Sequence, residues 1–358
     1  MRKWNGCTFL SGSKKIEDFF SKRNKNLLII GKGFDPRACR SLEVFGEINK
    51  DIWIIDYNEK PTIQDDENSS RSKDNYTKLM ELIREQNWKE LSIPMYKISS
   101  VKKTLIISES LRGIILKENI SNYKNIIVDI SAMPRAVGFS LIKRIMDIKS
   151  NQKIHILVCE NSECDDNIKP VIVEGSAEYL QGFKTFSMLA EADEDETIWL
   201  PVLGSNDKAA FNIIADYLKP VEICPIVPFP SQNLRRGENI LRYYGEILFK
   251  ERDIEKRNII YVPECFPLLV YQKLYDTVKY YEKVLNNEQN RTIKYAFSSQ
   301  SSKLIDIGIL LTIIALGNEK MRAGIVVVEN QGYHLNEAYN VNSEKFFCIC
   351  LDDYEFSW

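Results

Sequence analysis

Short apolar runs rich in β-branched residues alternate with helical spacings along most of the chain. In the first half, Asn26–Ile30 (NLLII), Ile52–Asp56 (IWIID), Asn125–Ile130 (NIIVDI) and Lys153–Cys159 (KIHILVC) read as strands. Each is short, nearly continuous in apolar residues and bounded by turn residues, the pattern of a strand covered on both faces. Helices are predicted from Arg37 to Ile48, from Asn75 to Trp88 with Leu79, Leu82 and Ile83 at helical spacing, from Ser108 to Ile120, and from the SAMPR turn to Ile148. Residues 57–74 read as a polar loop. The second half repeats the rhythm. Strands are predicted at Ile198–Leu203, Glu222–Val227, Asn258–Val262, Thr292–Phe297, Gly324–Val328 and Lys345–Leu351. Helices are predicted at Asp207–Leu218, Glu238–Lys250, Pro267–Leu285 and Lys303–Leu316.

Strands alternating with helices of this length predict an α/β protein with mostly parallel sheets. Five acids in the six residues Glu191–Glu196 (EADEDE) form a charge block typical of a solvated connection. The expected organisation is therefore two tandem Rossmann-like lobes, residues 1–190 and 197–358. Strand NIIVDI, a Ser-containing turn, a helix and strand KIHILVC match in serial order TIKYAF, SSQSSK, a helix and GIVVV.

Composition narrows the classes. With 358 residues, 44% of them apolar and 27% charged, the chain has material for packed cores and is not a disordered or fibrous protein. Lys+Arg number 48 against 50 Asp+Glu, so bulk charge gives no argument for a nucleic-acid partner. Cysteines inside runs such as IHILVCE and FFCICL suit a reducing compartment, and a cytoplasmic protein is expected. Cys159-x4-Cys164 and Cys348-x-Cys350 lack a matching second pair, and His155 and His334 are the only histidines, so no zinc site is expected. The longest apolar stretch, Leu304–Leu316, has 13 residues and contains Asp306, too short for a bilayer span. The basic first residues lack the apolar core of a signal peptide.

Ligands of open α/β sheets sit beyond the carboxyl ends of the strands, near helix N-termini. Four strand-to-helix turns are candidates there. In GKGFDPR, Gly31 and Gly33 permit close backbone approach, Asp35 suits a helix cap, and Pro36 suits the first helical position. Arg37 is out of place, because a cation in the first turn opposes the helix dipole unless paired. The second turn, DISAMPR, carries Asp129, Ser131 and Arg135, with an internal Asp129–Arg135 ion pair as the plainer reading. Arg235 and Arg236 precede the helix expected near Glu238, either as anion ligands or as a solvated basic turn. In SSQSSK, Ser299, Ser301 and Lys303 make an anion nest or a polar loop. Together these turns place Arg or Lys where capping chemistry prefers acids, and a phosphorylated ligand would satisfy them. Phe34, Phe229 and Tyr333 could stack on a base or pack in the protein. Catalytic constellations are scarce: His155 reads as a core residue, His334 is the better acid–base candidate, and Glu329 could reach the same rim.

The alternation, the DISAMPR turn and the SSQSSK turn resemble the Rossmann-like ligand-sensing domains of prokaryotic defence systems, the CARF group. That resemblance implies cyclic oligonucleotide binding at strand ends and at a polar turn ending in Lys. The expectation is a cytoplasmic sensor or regulatory protein for a nucleotide or other phosphorylated small molecule. It has no bound cofactor, no membrane partner, and room for a protein partner or self-association. An enzyme acting on a nucleotide or sugar phosphate, with Asp35 or Asp129 polarising a ribose hydroxyl, is the alternative. An α/β scaffold docking through its aromatic end, DDYEFSW, is a third.

Overall fold

The computed structural model describes residues 7–23, 25–58, 66–98, 103–148, 151–171, 176–184, 196–205, 207–285, 292–328, 332–335 and 340–351. The fold is α/β with two mostly parallel sheets, and the chain divides into two units. One comprises Met1–Cys164 with Leu335–Trp358, the other Asp165–His334.

In the first unit, the strands lie in the order Thr8–Ser11, Lys345–Leu351, Lys153–Glu160, Asn125–Asp129, Asn26–Gly31, Lys50–Asn58, Trp88–Pro94. The last five are parallel, and numbered by chain position they read 5-4-1-2-3 across the sheet. This is the doubly wound order, in which the winding reverses between the first and fourth strands. Leu27–Ile30 and Ile126–Val128 are buried, as strands covered on both faces require.

In the second unit, the order is Ala177–Tyr179, Ala323–Val328, Ile293–Ser299, Glu196–Val202, Ile226–Pro228, Ile260–Val262. The parallel strands again read 5-4-1-2-3, and Ala177–Tyr179 runs antiparallel beside the fifth. The two stretches matched by sequence thus occupy the fourth and fifth strands of their sheets. Helix Lys303–Asn318 follows the fourth strand, and all of Leu304–Leu316 is buried, including Asp306. No helix among the described residues is long and apolar enough to cross a membrane.

Four features differ from expectation. The chain end does not stay with the second lobe: Lys345–Leu351 pairs antiparallel with Lys153–Glu160 and buries Phe346, Cys348 and Cys350 in the first core. The division falls after Cys164, while most of the acidic block, residues 191–195, lies outside the described residues. A helix, Asp66–Leu82, replaces much of the loop expected at 57–74; Leu79 anchors it in the core. The helix expected to reach Trp88 stops at Leu82, and Trp88–Pro94 becomes the third parallel strand. That strand lies at the sheet edge, so its charged Lys89 and Glu90 are tolerated.

Candidate functional site

The switch point of the first sheet lies between the turns that follow Asn26–Gly31 and Asn125–Asp129. The backbone is crowded there by the protein itself. A Cβ on Gly31 would lie 2.7 Å from Met133 Cγ, and one on Gly33 would lie 2.5 Å from the Tyr57 hydroxyl. Tyr57, from the end of the second strand, also donates to the Ala132 carbonyl at 3.2 Å. It therefore ties the second strand to the fourth-strand turn across both glycines.

Asp35 caps the short helical turn Pro36–Cys39 by accepting from the Arg37 amide at 2.9 Å. Its carboxylate also takes Arg37 Nε at 3.0 Å and Nη2 at 2.7 Å. Arg37 is only 2% exposed. The cation that seemed out of place at a helix start is neutralised by the cap two residues before it, so its position is explained without a ligand.

Asp129 is wholly buried. Burial raises its carboxyl above the ordinary range, against hydrogen bonds from Ser131 and the charge of Arg37. The Ser131 amide donates to Asp129 at 2.9 Å, its hydroxyl donates to the same oxygen, and that hydroxyl accepts from the Cys159 amide at 2.7 Å. Asp129 and Ser131 thus lock the fourth-strand turn to the fifth strand. Arg135 is half-buried and opens helix Arg135–Ile148.

The structure adds four rim residues that sequence reasoning missed. Lys32 Nζ lies 3.0 Å from Glu90 Oε1 and 3.5 Å from Asp56 Oδ2, above the Tyr76 ring. The Tyr76 hydroxyl donates to Glu90 Oε2 at 2.8 Å. Burial works against the Lys32 charge, but Glu90 and Asp56 outweigh it and hold the ammonium above its usual range. The Lys32 and Asp56 side chains keep about a quarter of their surface exposed, 25% and 24%. Asp56 lies near the end of the second strand, about 20 residues beyond the glycine turn, where dinucleotide folds place a ribose-binding acid. The acid closing IWIID was the available signal.

In the second unit, taken by itself, Gly204 follows the first strand and the SSQSSK turn follows the fourth. The Gln300 amide donates to the Val202 carbonyl at 3.1 Å, so these turns meet. The GSND turn was missed in sequence; its Asp207 caps helix Lys208–Leu218 through the Ala210 amide at 3.0 Å. The serine cluster points largely inward. Ser299 donates to Asp306, Ser298 accepts from Trp199 Nε1 at 3.0 Å, and Ser301 is buried. Lys303 is half-buried at the helix start. The arginine pair divides: Arg236 is buried with Nη1 2.7 Å from Glu264 Oε1, whereas Arg235 is exposed on the turn after the second strand.

Other candidates separate from these rims. His155 is buried against the edge of Phe20 at 4.9 Å; burial, with Arg23 and Lys153, pushes it down to about 3. Phe34 is half-buried, and Phe229 is exposed beside Tyr261. The side chains of Tyr333 and His334, all of Glu329, and residues 352–358 lie outside the described residues. Two polar clefts open at the amino ends of strands. One, of about 350 Å³, is lined by Lys25, Asn26, Lys50 and Tyr123 in the first unit; the other, of about 770 Å³, by Asp216, Glu222 and Arg252 in the second. The carboxyl edge is favoured as the ligand edge because helix N-termini and their amides gather there. No protein-family model matches the chain, and no curated protein matches it in sequence.

Proposed function

We propose that the first unit binds the nucleoside portion of a nucleotide at its switch point and acts as a sensor or regulatory protein. The observation that carries this reading is Asp56, partly exposed near the end of the second strand beside the glycine turn and held by Lys32. An acid there suits paired ribose hydroxyls, and the adjoining helix starts suit a phosphate. Because Asp35 engages Arg37, phosphate contact would fall to the amides of the strand-end turns. The resemblance to CARF-type domains adds cyclic oligonucleotides to the ligand classes worth testing, and a place in a prokaryotic defence system rests on that resemblance alone.

Thermal unfolding of the full chain with adenosine, guanosine, their mono- and triphosphates and cyclic oligoadenylates tests this. A ligand that binds only the folded state at about 100 times its Kd stabilises it by about 2.7 kcal/mol. At least one nucleotide should raise the midpoint, and Asp56→Asn should remove most of the rise. Stabilisation by none of them would end this reading, and turnover of the bound nucleotide would make the protein an enzyme instead.

A further inference from the structure

Strands Lys153–Glu160 and Lys345–Leu351 pair with Cys350 opposite His155 and Cys348 opposite Leu157. Side chains alternate along a strand and directly opposed residues share a face, so Cys348, Cys350 and His155 project to the same side. That side is the core beneath helix Ser13–Ser21, where both cysteines cluster with Ile16 and Phe20. All three residues are fully buried.

Residues two apart in a strand are separated by roughly 6.5–7 Å along the chain. The Cys348 and Cys350 sulfurs nevertheless lie 3.9 Å apart, so the two thiols lean toward each other. Both sulfurs and one imidazole nitrogen fall within 4.8 Å of one another. Metal–sulfur bonds of about 2.3 Å at tetrahedral or trigonal angles place two sulfurs about 3.8–4.0 Å apart, the separation found here.

A hydrogen-bond chain fixes the imidazole. Asn26 Nδ2 donates to the Arg23 and Asn49 carbonyls, leaving Asn26 Oδ1 to accept from Asn125 Nδ2 at 3.0 Å. Asn125 Oδ1 therefore lies 3.4 Å from His155 Nε2, an arrangement that suits the tautomer with the proton on Nε2 and the lone pair on Nδ1. An outer partner that sets the tautomer in this way is what a metal-bound histidine requires.

We propose that His155, Cys348 and Cys350 form a buried binding site for a thiophilic d10 metal ion, zinc(II) or copper(I). Binding releases the two thiol protons to solvent and forms two metal–sulfur bonds and one metal–nitrogen bond. Zinc(II) with two thiolates and a neutral imidazole carries no net charge, which suits a dry core; copper(I) suits a three-coordinate soft site. The Cys348-x-Cys350 spacing looked incomplete in sequence because its third donor arrives only through strand pairing.

The test is the metal content of the full chain, purified without chelator and also refolded with zinc(II) or, under reductant and without oxygen, copper(I). Wild type should hold about one ion per chain, and the two refolding arms show which. Cobalt(II) in its place should give thiolate-to-metal charge-transfer absorption. Cys350→Val and Cys348→Ala, each checked for native circular dichroism, should lose the ion. A wild-type protein that carries neither metal as purified and takes up neither on refolding would overturn the proposal. So would a folded Cys350→Val protein that keeps the ion and the cobalt spectrum. If both variants fail to fold, wild-type metal content and the cobalt spectrum decide.

Discussion

Gly204 meets the Gln300 backbone so closely that a Cβ there would lie 1.8 Å from the Gln300 carbonyl oxygen. The first and fourth strands of the second sheet therefore end in turns whose main chains touch. At the same juncture of the first sheet, Gly31 faces a side chain, Met133, whose Cγ lies 2.7 Å from where an alanine Cβ would stand. The two switch points share a strand order but are closed by different chemistry.

This difference predicts unequal costs. Gly204→Ala forces a backbone to move and should destabilise the second unit by about 1–3 kcal/mol or more. Gly31→Ala displaces mainly flexible Met133 and should cost less. Urea unfolding of both variants measures this; equal losses would contradict the packing described.

Arg37 should behave as part of the scaffold. Asp35→Ala removes the carboxylate that holds its buried guanidinium, and breaking such a pair typically costs about 3–5 kcal/mol. A surface phosphate ligand would give a nearly unchanged unfolding midpoint instead.

Asp129 gives a pH signature. Its carboxyl is raised by burial, so the folded protein holds that proton more tightly than the unfolded chain. The associated stability is full below about pH 4 and is lost as pH rises through the folded-state value. Asp129→Asn retains an acceptor oxygen but does not titrate. Wild-type stability relative to that variant should therefore fall as pH rises above about 4 in denaturant titrations. A relative rise would contradict the buried-carboxyl account.

The strands covered on both faces were legible because an uninterrupted NLLII or NIIVDI has few other homes in an α/β chain. Trp88–Pro94 was not, because an edge strand needs only Leu91 and Ile93 buried and leaves a pattern close to that of a polar helix end. The carboxyl-edge turns were also legible, but the partners of their cations were not. In sequence Asp35 shows only as a cap, with no sign of its second role toward Arg37, and Glu264, which engages Arg236, follows a different strand. Asp56 needed the strand order before its place beside the glycine turn had meaning, and the antiparallel return of Cys348 and Cys350 to His155 lay beyond any local pattern.

Hydrogen exchange of the full chain, with and without the nucleotide that most stabilises it, locates the site directly. Binding at the first switch point predicts slowed exchange in the turns 31–37 and 130–135 and around Asp56. Protection confined to the amino-end cleft around Lys25, Lys50 and Tyr123, or to the second unit alone, would contradict it.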